Sequence, residues 1–316
     1  MQNETTKKIY NLAILGGGPA GISAGVYAAR KEINTVLITE VIGGQSTVSP
    51  DIHNWIGEKS ISGFDLAEKF KNHIEEYASE NFAIETGYQI ETITDSGEHF
   101  IIKTKDGTEF FAYHLLYTLG SKRRTLDIPG SAEYEGRGVV YCASCDGPFF
   151  KGKEVCVIGG GNAAFESVLQ LAQYCTRVTL INRTNEFKAD QVTIDTASKL
   201  PNVTIKTNVT PTAITGELKV SAIELLHTES LEKEILPVSG VFIEIGQIPN
   251  TQILDTLNIK KNSYGFIEID PWTQKTSHSR IWAAGDCTNV LFHQNNIASG
   301  DGVKAVEHLF GEITKK

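Results

Sequence analysis

The chain has 316 residues, 41% of them hydrophobic and 21% charged, with 29 Lys and Arg against 38 Asp and Glu for a net charge of −9. That length suits about two domains of ordinary soluble composition, and the acidic balance argues against nucleic acid and anionic membranes as partners. No apolar run approaches the ~20 residues of a membrane span, and the opening "MQNETTKKIYNLAILGGG" passes from its first apolar run straight into a glycine turn rather than a cleavage site, so a cytoplasmic protein is expected.

The first segment, "KIYNLAILGGGPAGISAGVYAARKEINTVLITE", predicts a strand, a glycine turn, an Ala-rich helix and a β-branched strand. This is a βαβ unit with a dinucleotide turn. Gly16 and Gly18 let the backbone turn and approach a pyrophosphate, and Gly21 lets the helix sit on its strand. Glu40 follows the second strand, about where a ribose-reading residue belongs. A carboxylate there bonds ribose hydroxyls and repels an added phosphate, which suits the ADP half of FAD. Next, "GFDLAEKFKNHIEEYA" predicts an amphipathic helix with Phe64, Phe70, Ile74 and Tyr77 inward. "HFIIKTKDGTEFFAYHLLYTLG" predicts a hairpin with a DG turn followed by a further strand. "GSKRRTLDIPGSAEYEGRG" is polar and holds Pro and Gly, as an interdomain hinge does.

The stretch "YCASCDG" then sets Cys142 and Cys145 at CxxC spacing with Asp146 directly behind. Of the five cysteines only these form a tight pair, and Cys156 and Cys175 fall in apolar segments that predict burial. Zinc needs four ligands, and no second CxxC or HxxxH supplies the other two. A structural disulfide does not suit a reducing cytosol. A redox pair suits the spacing, because CxxC thiols close a small ring and their surroundings can lower one pKa. Asp146 could move the associated proton, or act as a turn residue before Gly147.

A second βαβ unit follows in "KGKEVCVIGGGNAAFESVLQLAQYCTRVTLINR", with Gly159 and Gly161 at the turn and Ala164 at the third position. One such turn is weak evidence; two, each between a strand and a helix, predict two dinucleotide sites. After "RVTLI" come Asn182, Arg183, Thr184 and then Lys188, neutral or cationic groups able to hold the 2′-phosphate of NADPH. A solvated helix start is the alternative for Arg183 and Lys188. More strands are expected over 203–245, then a strand and loop in "RIWAAGDCTNV" and a helix in "FHQNNIASGDGVKAVEHLF". These last elements do not extend the second unit. The expected organisation is an FAD domain over 1–120 and 249–316, interrupted by an NAD(P)H domain with the CxxC over 121–248.

"GGGPAGISAGVYAAR", "IGGQ", "YCASCDG", "VIGGGNAAFE" and "AAGDCT…FHQNNIASGDG" resemble, in order and spacing and over nearly the whole chain, the low-molecular-weight thioredoxin reductases. "CDGPFFKGK" and "EFKADQV" are also similar to the flavoprotein subunit of alkyl hydroperoxide reductase. The resemblance implies an α/β homodimer whose subunits carry two Rossmann-like domains of three-layer ββα type, one for FAD and one for NAD(P)H. It implies electron flow from NADPH, or NADH, through FAD and the cysteine pair to thioredoxin or a thioredoxin-like or glutaredoxin-like protein. The hydroperoxide-reductase flavoprotein has an extra N-terminal thioredoxin-like domain that is not found in this sequence, so a separate small dithiol partner is expected.

Carried over by position, the FAD site implied is Gly16, Gly18, Pro19, Ala20, Glu40, Gly44, Gln45, Asn54, Gly285, Asp286, Gln294 and Asn295. Asp286 would bond the ribityl chain, and the backbone at Gln294 and Asn295 would face the flavin ring. Cys145 would stand against the flavin, Cys142 would attack the partner, and Asp146 would be the acid/base. The NAD(P)H site implied is Gly159, Gly161, Asn162, Ala163, Glu166, Arg183, Thr184 and Lys188. The family also implies rotation between the domains, hinged at "RRTLDIPG" and near Gly246-Gln247-Ile248-Pro249. Three places depart from its pattern: "NRTNEFKA" replaces "HRRxxFRA", Leu119 replaces Thr in "ATG", and His293 replaces a cation in "YRQ". The first leaves NADPH favoured over NADH. A flavin-dependent dithiol oxidase and a ferredoxin-linked disulfide reductase of the same fold are alternatives, and a nucleotide-sensing binding protein with an inert CxxC is a remoter one.

Overall fold

A computed structural model describes residues 8–49 and 52–314. The first seven residues, part of the N-terminal stretch quoted earlier, lie outside that range. The chain divides into two compact units, residues 1–122 with 248–316, and residues 123–247.

The first unit begins with β1 (Ile9–Gly17), α1 (Pro19–Arg30) and β2 (Thr35–Ile42). Leu12 and Ile14 of β1 point to one face of the sheet, Ala13 and Leu15 to the other, and all four are fully buried. A run apolar on both faces is the mark of a parallel strand covered on both sides. Next come α2 (Gly63–Glu75), β3 (Phe82–Thr86), β4 (Ile90–Asp95), β5 (Phe100–Thr104) and β6 (Glu109–Tyr117). The Ser62 hydroxyl caps α2 by accepting from the Asp65 N–H at 3.0 Å. Leu66, Phe70 and Ile74, at four-residue spacing, face the core, with Tyr77 packed beside them. Phe64 does not point inward as the sequence predicts: it is 66% exposed. Two residues before Leu66, it lies about 200° away around the helix. The predicted strand after the hairpin is not separate either. β6 is one nine-residue strand, pairing antiparallel with β5 through Glu109–Ala112 and continuing to Tyr117 with no breaker between.

The sheet order is β3-β2-β1-β6-β5-β4. The last two crossings are antiparallel, whereas β1 is parallel to both neighbours. Helices cover one face and the antiparallel layer and its loops the other.

The chain leaves through β7 (Ser121–Arg123). The second unit holds β8 (Val139–Val140), α3 (Ala143–Asp146), β9 (Glu154–Ile158), α4 (Asn162–Leu171), β10 (Arg177–Ile181), α5 (Gln191–Ser198), β11 (Val203–Lys206), β12 (Val209–Gly216), β13 (Val220–His227), β14 (Lys233–Pro237) and β15 (Gly240–Ile243). Its sheet is parallel, in the order β11-β10-β9-β15-β8, and β12-β13-β14 form an antiparallel meander. Cys156, Ile158, Val241 and Ile243 face the meander side, while Val155, Val157 and Phe242 face α4. The two units thus repeat one layered plan. β16 (Gln247–Pro249), paired with β7, returns the chain to the first unit, where β17 (Ile281–Ala283) extends beside the far half of β6 and α6 (Asn295–Ile313) packs on α1. Among the described residues, no helix is long and apolar enough to cross a membrane.

The α1–α6 contact is as close as backbone allows. A Cβ at Gly302 would stand 2.1 Å from the Ala20 carbonyl oxygen, whereas one at Gly300, two residues earlier in α6, would meet nothing within 4 Å. Glycine in a helix interior is ordinarily about 1 kcal/mol worse than alanine. Opposite signs are therefore expected in chemical denaturation: Gly300→Ala should stabilise by up to about 1 kcal/mol, and Gly302→Ala should destabilise by about 1–3 kcal/mol through overpacking. If both variants stabilise, the helices are not held this closely.

Candidate functional site

Each unit has a turn shaped for a phosphate. Gly16 and Gly159 sit at φ of 117° and 150°, where a side chain is strained, and a Cβ on either would strike a backbone carbonyl, of Thr118 at 2.5 Å or of Glu244 at 2.3 Å. Gly18 and Gly161 are the extended N-caps of α1 and α4, with nothing within 4 Å of the Cβ position. Neither helix has a side-chain cap or an acidic residue in its first turn. No side chain therefore competes for the first N–H groups, and the positive end of each helix faces that space. The residues fit a pyrophosphate at both turns.

In the first unit the turn gathers most of the positions expected for FAD. Pro19 and Ala20 begin α1, and the Gly43 N–H donates to the Gly17 carbonyl at 2.8 Å; a Cβ added at Gly44 would stand 3.1 Å from the Gly18 Cα. Glu40 is exposed near the end of β2, as a ribose-reading carboxylate must be. Gly285, at φ 77°, follows β17 and faces Ala20 and Ala298. Asp286 beside it is half-buried. Side-chain amides clasp the rest: Asn54 donates to Gln294 Oε1 at 2.9 Å, Asn296 to the Asn54 carbonyl at 2.6 Å, and the Ser46 hydroxyl to Asn295 Oδ1 at 3.0 Å. Gln45 lies exposed in the same short turn as Ser46. Two of the departures from the family pattern are packed here. Leu119 lies against the core and its carbonyl accepts from Asn250, and the His293 ring stacks near Phe266 at 5.5 Å.

In the second unit a loop folds over the glycine turn. The Lys188 N–H donates to the Gly160 carbonyl at 2.7 Å and the Asp190 N–H to Asn162 Oδ1 at 2.8 Å. Asn182 is buried, and its amide donates to the Thr184 and Glu186 carbonyls, both at 2.9 Å. Both amide hydrogens are thereby used. Asn182 is a brace for the loop and not, as its place in the sequence suggests, a group offered to a phosphate. The Thr184 hydroxyl also turns inward, to the Glu186 carbonyl. Arg183 and Lys188 are left exposed as the cations of the loop, and Ala163 and Glu166 are exposed on α4.

Cys142 and Cys145 are joined by a disulfide, with Cα atoms 5.3 Å apart. Cys142 follows β8 and caps α3, accepting the Cys145 N–H on its sulfur at 3.1 Å. That contact supports negative charge on Cys142 when the pair is reduced. α3 is tied to α4 by the Ser144 hydroxyl on Gln170 at 3.0 Å. Asp146 closes α3, half-buried. The other three cysteines are buried thiols, and burial raises the pKa of each, Cys175 to about 11 and Cys287 to about 12. Among the described residues, no group of three or more His, Cys, Asp or Glu could hold a metal.

Two dinucleotide turns and a CxxC disulfide define a nucleotide-dependent disulfide oxidoreductase. Residues 10–302 match the family described as pyridine nucleotide-disulphide oxidoreductase, and the chain belongs to that family, whose members use flavin and nicotinamide nucleotides. Its structural neighbours are low-molecular-weight thioredoxin reductases. The enzyme of Streptococcus pyogenes is 30% identical, with 98% of this chain and 100% of that one covered at a TM-score of 0.89. An alkyl hydroperoxide reductase subunit of Escherichia coli is 38% identical over 94% of this chain, and a Bacillus subtilis protein named NADH dehydrogenase 35% identical over 98%. The chain spans 57–60% of the length of these curated relatives.

Sequence reasoning missed Glu244. It follows β15, is held among buried groups beside Gly159, and accepts the Ser167 hydroxyl at 2.8 Å. Burial pushes its carboxyl up to about 7, with the charge of Glu166 adding to the rise and Ser167 and Arg123 opposing it. Only its position after an apolar strand that pairs with the glycine-turn strand could have flagged it. Because the native pKa lies above that of the unfolded chain, the folded state holds the extra proton between about pH 4.5 and 7, and stability falls as pH rises through that window. The expected loss is roughly 3 kcal/mol by pH 8. Glu244→Gln should remove this component, raising Tm over wild type at pH 8 and leaving it near wild type at pH 5. Parallel Tm-against-pH curves for the two proteins would show that Glu244 is not the group responsible.

Proposed function

We propose that this protein is an NAD(P)H-dependent thioredoxin reductase that works as a homodimer in the cytoplasm. FAD is its resident cofactor, NADPH its donor, and thioredoxin or a small thioredoxin-like or glutaredoxin-like protein its acceptor. The observation that carries this reading is the Cys142–Cys145 disulfide, built beside α4 in the same unit as an uncapped glycine turn. FAD, when bound, supplies two-electron chemistry between a nicotinamide and a disulfide.

The chain's own residues divide the work. Gly16, Gly18 and the start of α1 hold the FAD pyrophosphate, and Glu40 takes the ribose hydroxyls. The loop clasped by Asn54, Gln294 and Asn295, together with Gly285 and Asp286, holds the remainder of FAD. Gly159, Gly161 and the start of α4 hold the nicotinamide nucleotide, with Arg183 and Lys188 supplying charge for a 2′-phosphate. Once the disulfide is reduced, the Cys142 thiolate attacks one sulfur of the partner's disulfide and the other sulfur leaves as a thiolate. Cys145 then attacks Cys142, releasing the second partner thiolate and restoring the 142–145 disulfide. Two electrons and two protons pass to the partner, and Asp146 delivers protons to the leaving sulfurs. Cys142 is the attacking thiol because the Cys145 N–H supports charge on its sulfur.

A second reading, supply of electrons to a hydroperoxide-reducing system with NADH as donor, is favoured by the relatives named for alkyl hydroperoxide reductase and NADH dehydrogenase. Anaerobic titration with NADPH and with NADH, followed by flavin absorbance, separates the donors. Cys142→Ser and Cys145→Ser are each expected to retain bleaching and to lose reduction of a thioredoxin-type disulfide by at least about a thousandfold. Full turnover in both variants sinks the assignment. A flavin that neither nucleotide bleaches, with oxygen uptake on dithiols, identifies a dithiol oxidase instead.

A further inference from the structure

Along the carboxyl edge of the second unit's sheet, the strand order β11-β10-β9-β15-β8 arranges functional groups in a row. The loop braced by Asn182 follows β10, the glycine turn follows β9, Glu244 follows β15, and Cys142 lies two residues beyond β8. Numbered from β9, the strands β11-β10-β9-β15 run 3-2-1-4, with β8, which comes earlier in the chain, at the edge; the topological switch point lies between β9 and β15, where a dinucleotide crosses. With the adenosine ribose at the β10 loop and the pyrophosphate on the glycine turn, the nicotinamide half runs toward β15. Glu244 is the residue there. β15 pairs in register with β9, Ile243 against Ile158, and the Glu244 N–H donates to the Ile158 carbonyl at 2.9 Å. Its own carbonyl presses on Gly159. The carboxyl turns toward α4, where the Ser167 hydroxyl holds Oε1 and leaves Oε2 to carry a proton.

Resting on the reading that this turn binds the nicotinamide nucleotide, we propose that Glu244 couples nucleotide binding to proton uptake: as a neutral carboxyl it tolerates and can donate to the nucleotide, and as a carboxylate it repels the pyrophosphate. Two charged side chains act on it. Glu166, from α4, opposes ionisation, and Arg123, from β7, favours it. Burial places the midpoint close to pH 7, so the coupling operates across the neutral range. The nucleotide's own pyrophosphate stays fully ionised there and contributes no titration of its own.

The test is calorimetric titration of the FAD-loaded protein with NAD+, which cannot reduce the flavin and lacks the 2′-phosphate whose own titration would intrude. Runs at pH 6, 7 and 8, in buffers of differing ionisation enthalpy, read affinity and proton uptake together. For wild type, affinity should fall by up to about tenfold from pH 6 to pH 8, the loss set by the ionised fraction of a group with its midpoint near 7, and binding should take up a fraction of a proton at pH 7. Glu244→Gln, close in shape and able to keep the Ser167 bond, should bind with a flat pH profile and no proton uptake. Ser167→Ala removes a bond that favours ionisation, so it should shift the midpoint upward. An equal pH slope in wild type and Glu244→Gln overturns the role of Glu244 while leaving the nucleotide site standing. No NAD+ binding at any pH, with ADP-ribose also failing to bind, overturns both.

Discussion

A peptide N–H can hold a phosphate only if nothing stands between them, and both units are built around keeping that space clear. Side chains are excluded at Gly18 and Gly161, caps are withheld from α1 and α4, and no carboxylate enters either first turn. Each omission weakens an isolated helix slightly, since glycine in place of a capping side chain costs a few tenths of a kcal/mol. The helices are kept by burial instead: Ile22, Ala24 and Val26 of α1, and Phe165, Val168 and Leu171 of α4, lie in the two cores. A pyrophosphate bound there, as proposed, would restore what the caps would have given. Packing thus frees the helix ends for ligand chemistry.

The two cores differ in how they meet the site. In the first unit, α1 lies against α6 so closely that Gly302 meets the Ala20 carbonyl, and the start of α6 brings Gln294 and Asn295 to the loop that holds Asn54. In the second unit the site is made by loops that follow strands, tied to one another by backbone and amide hydrogen bonds. The disulfide belongs to the second arrangement. It follows a two-residue strand, and α3 is fixed by the buried Ala143 and by the Ser144 hydroxyl on Gln170 of α4.

Period and spacing in the sequence carry the βαβ units, because strand burial on both faces and the glycine turn are local properties. The CxxC is legible for the same reason. The amide clasp is not, since Asn54 and Gln294 lie 240 residues apart and nothing local marks either as a partner. Asn182 stands where a phosphate ligand is expected, yet its burial turns the amide toward the loop carbonyls. Phe64 is apolar in a helix whose inward face is already filled by Leu66 and Phe70, so the helical period and not its chemistry decides its exposure. Glu244 is invisible for a different reason: a carboxylate after a strand reads as surface, and only the neighbouring strand and helix take the water from it.

The inserted unit has a consequence for assembly on the ribosome. Trp282, Ala298, Val306 and Leu309 belong to the core formed by α1 and α2, yet they follow the entire second unit in the chain. The far half of β6 likewise lacks its neighbour until β17 emerges. During synthesis the second unit has all of its strands while the first still waits with an apolar helix face and an open sheet edge. Translation therefore imposes an inside-out order: the middle of the polypeptide is finished before its beginning.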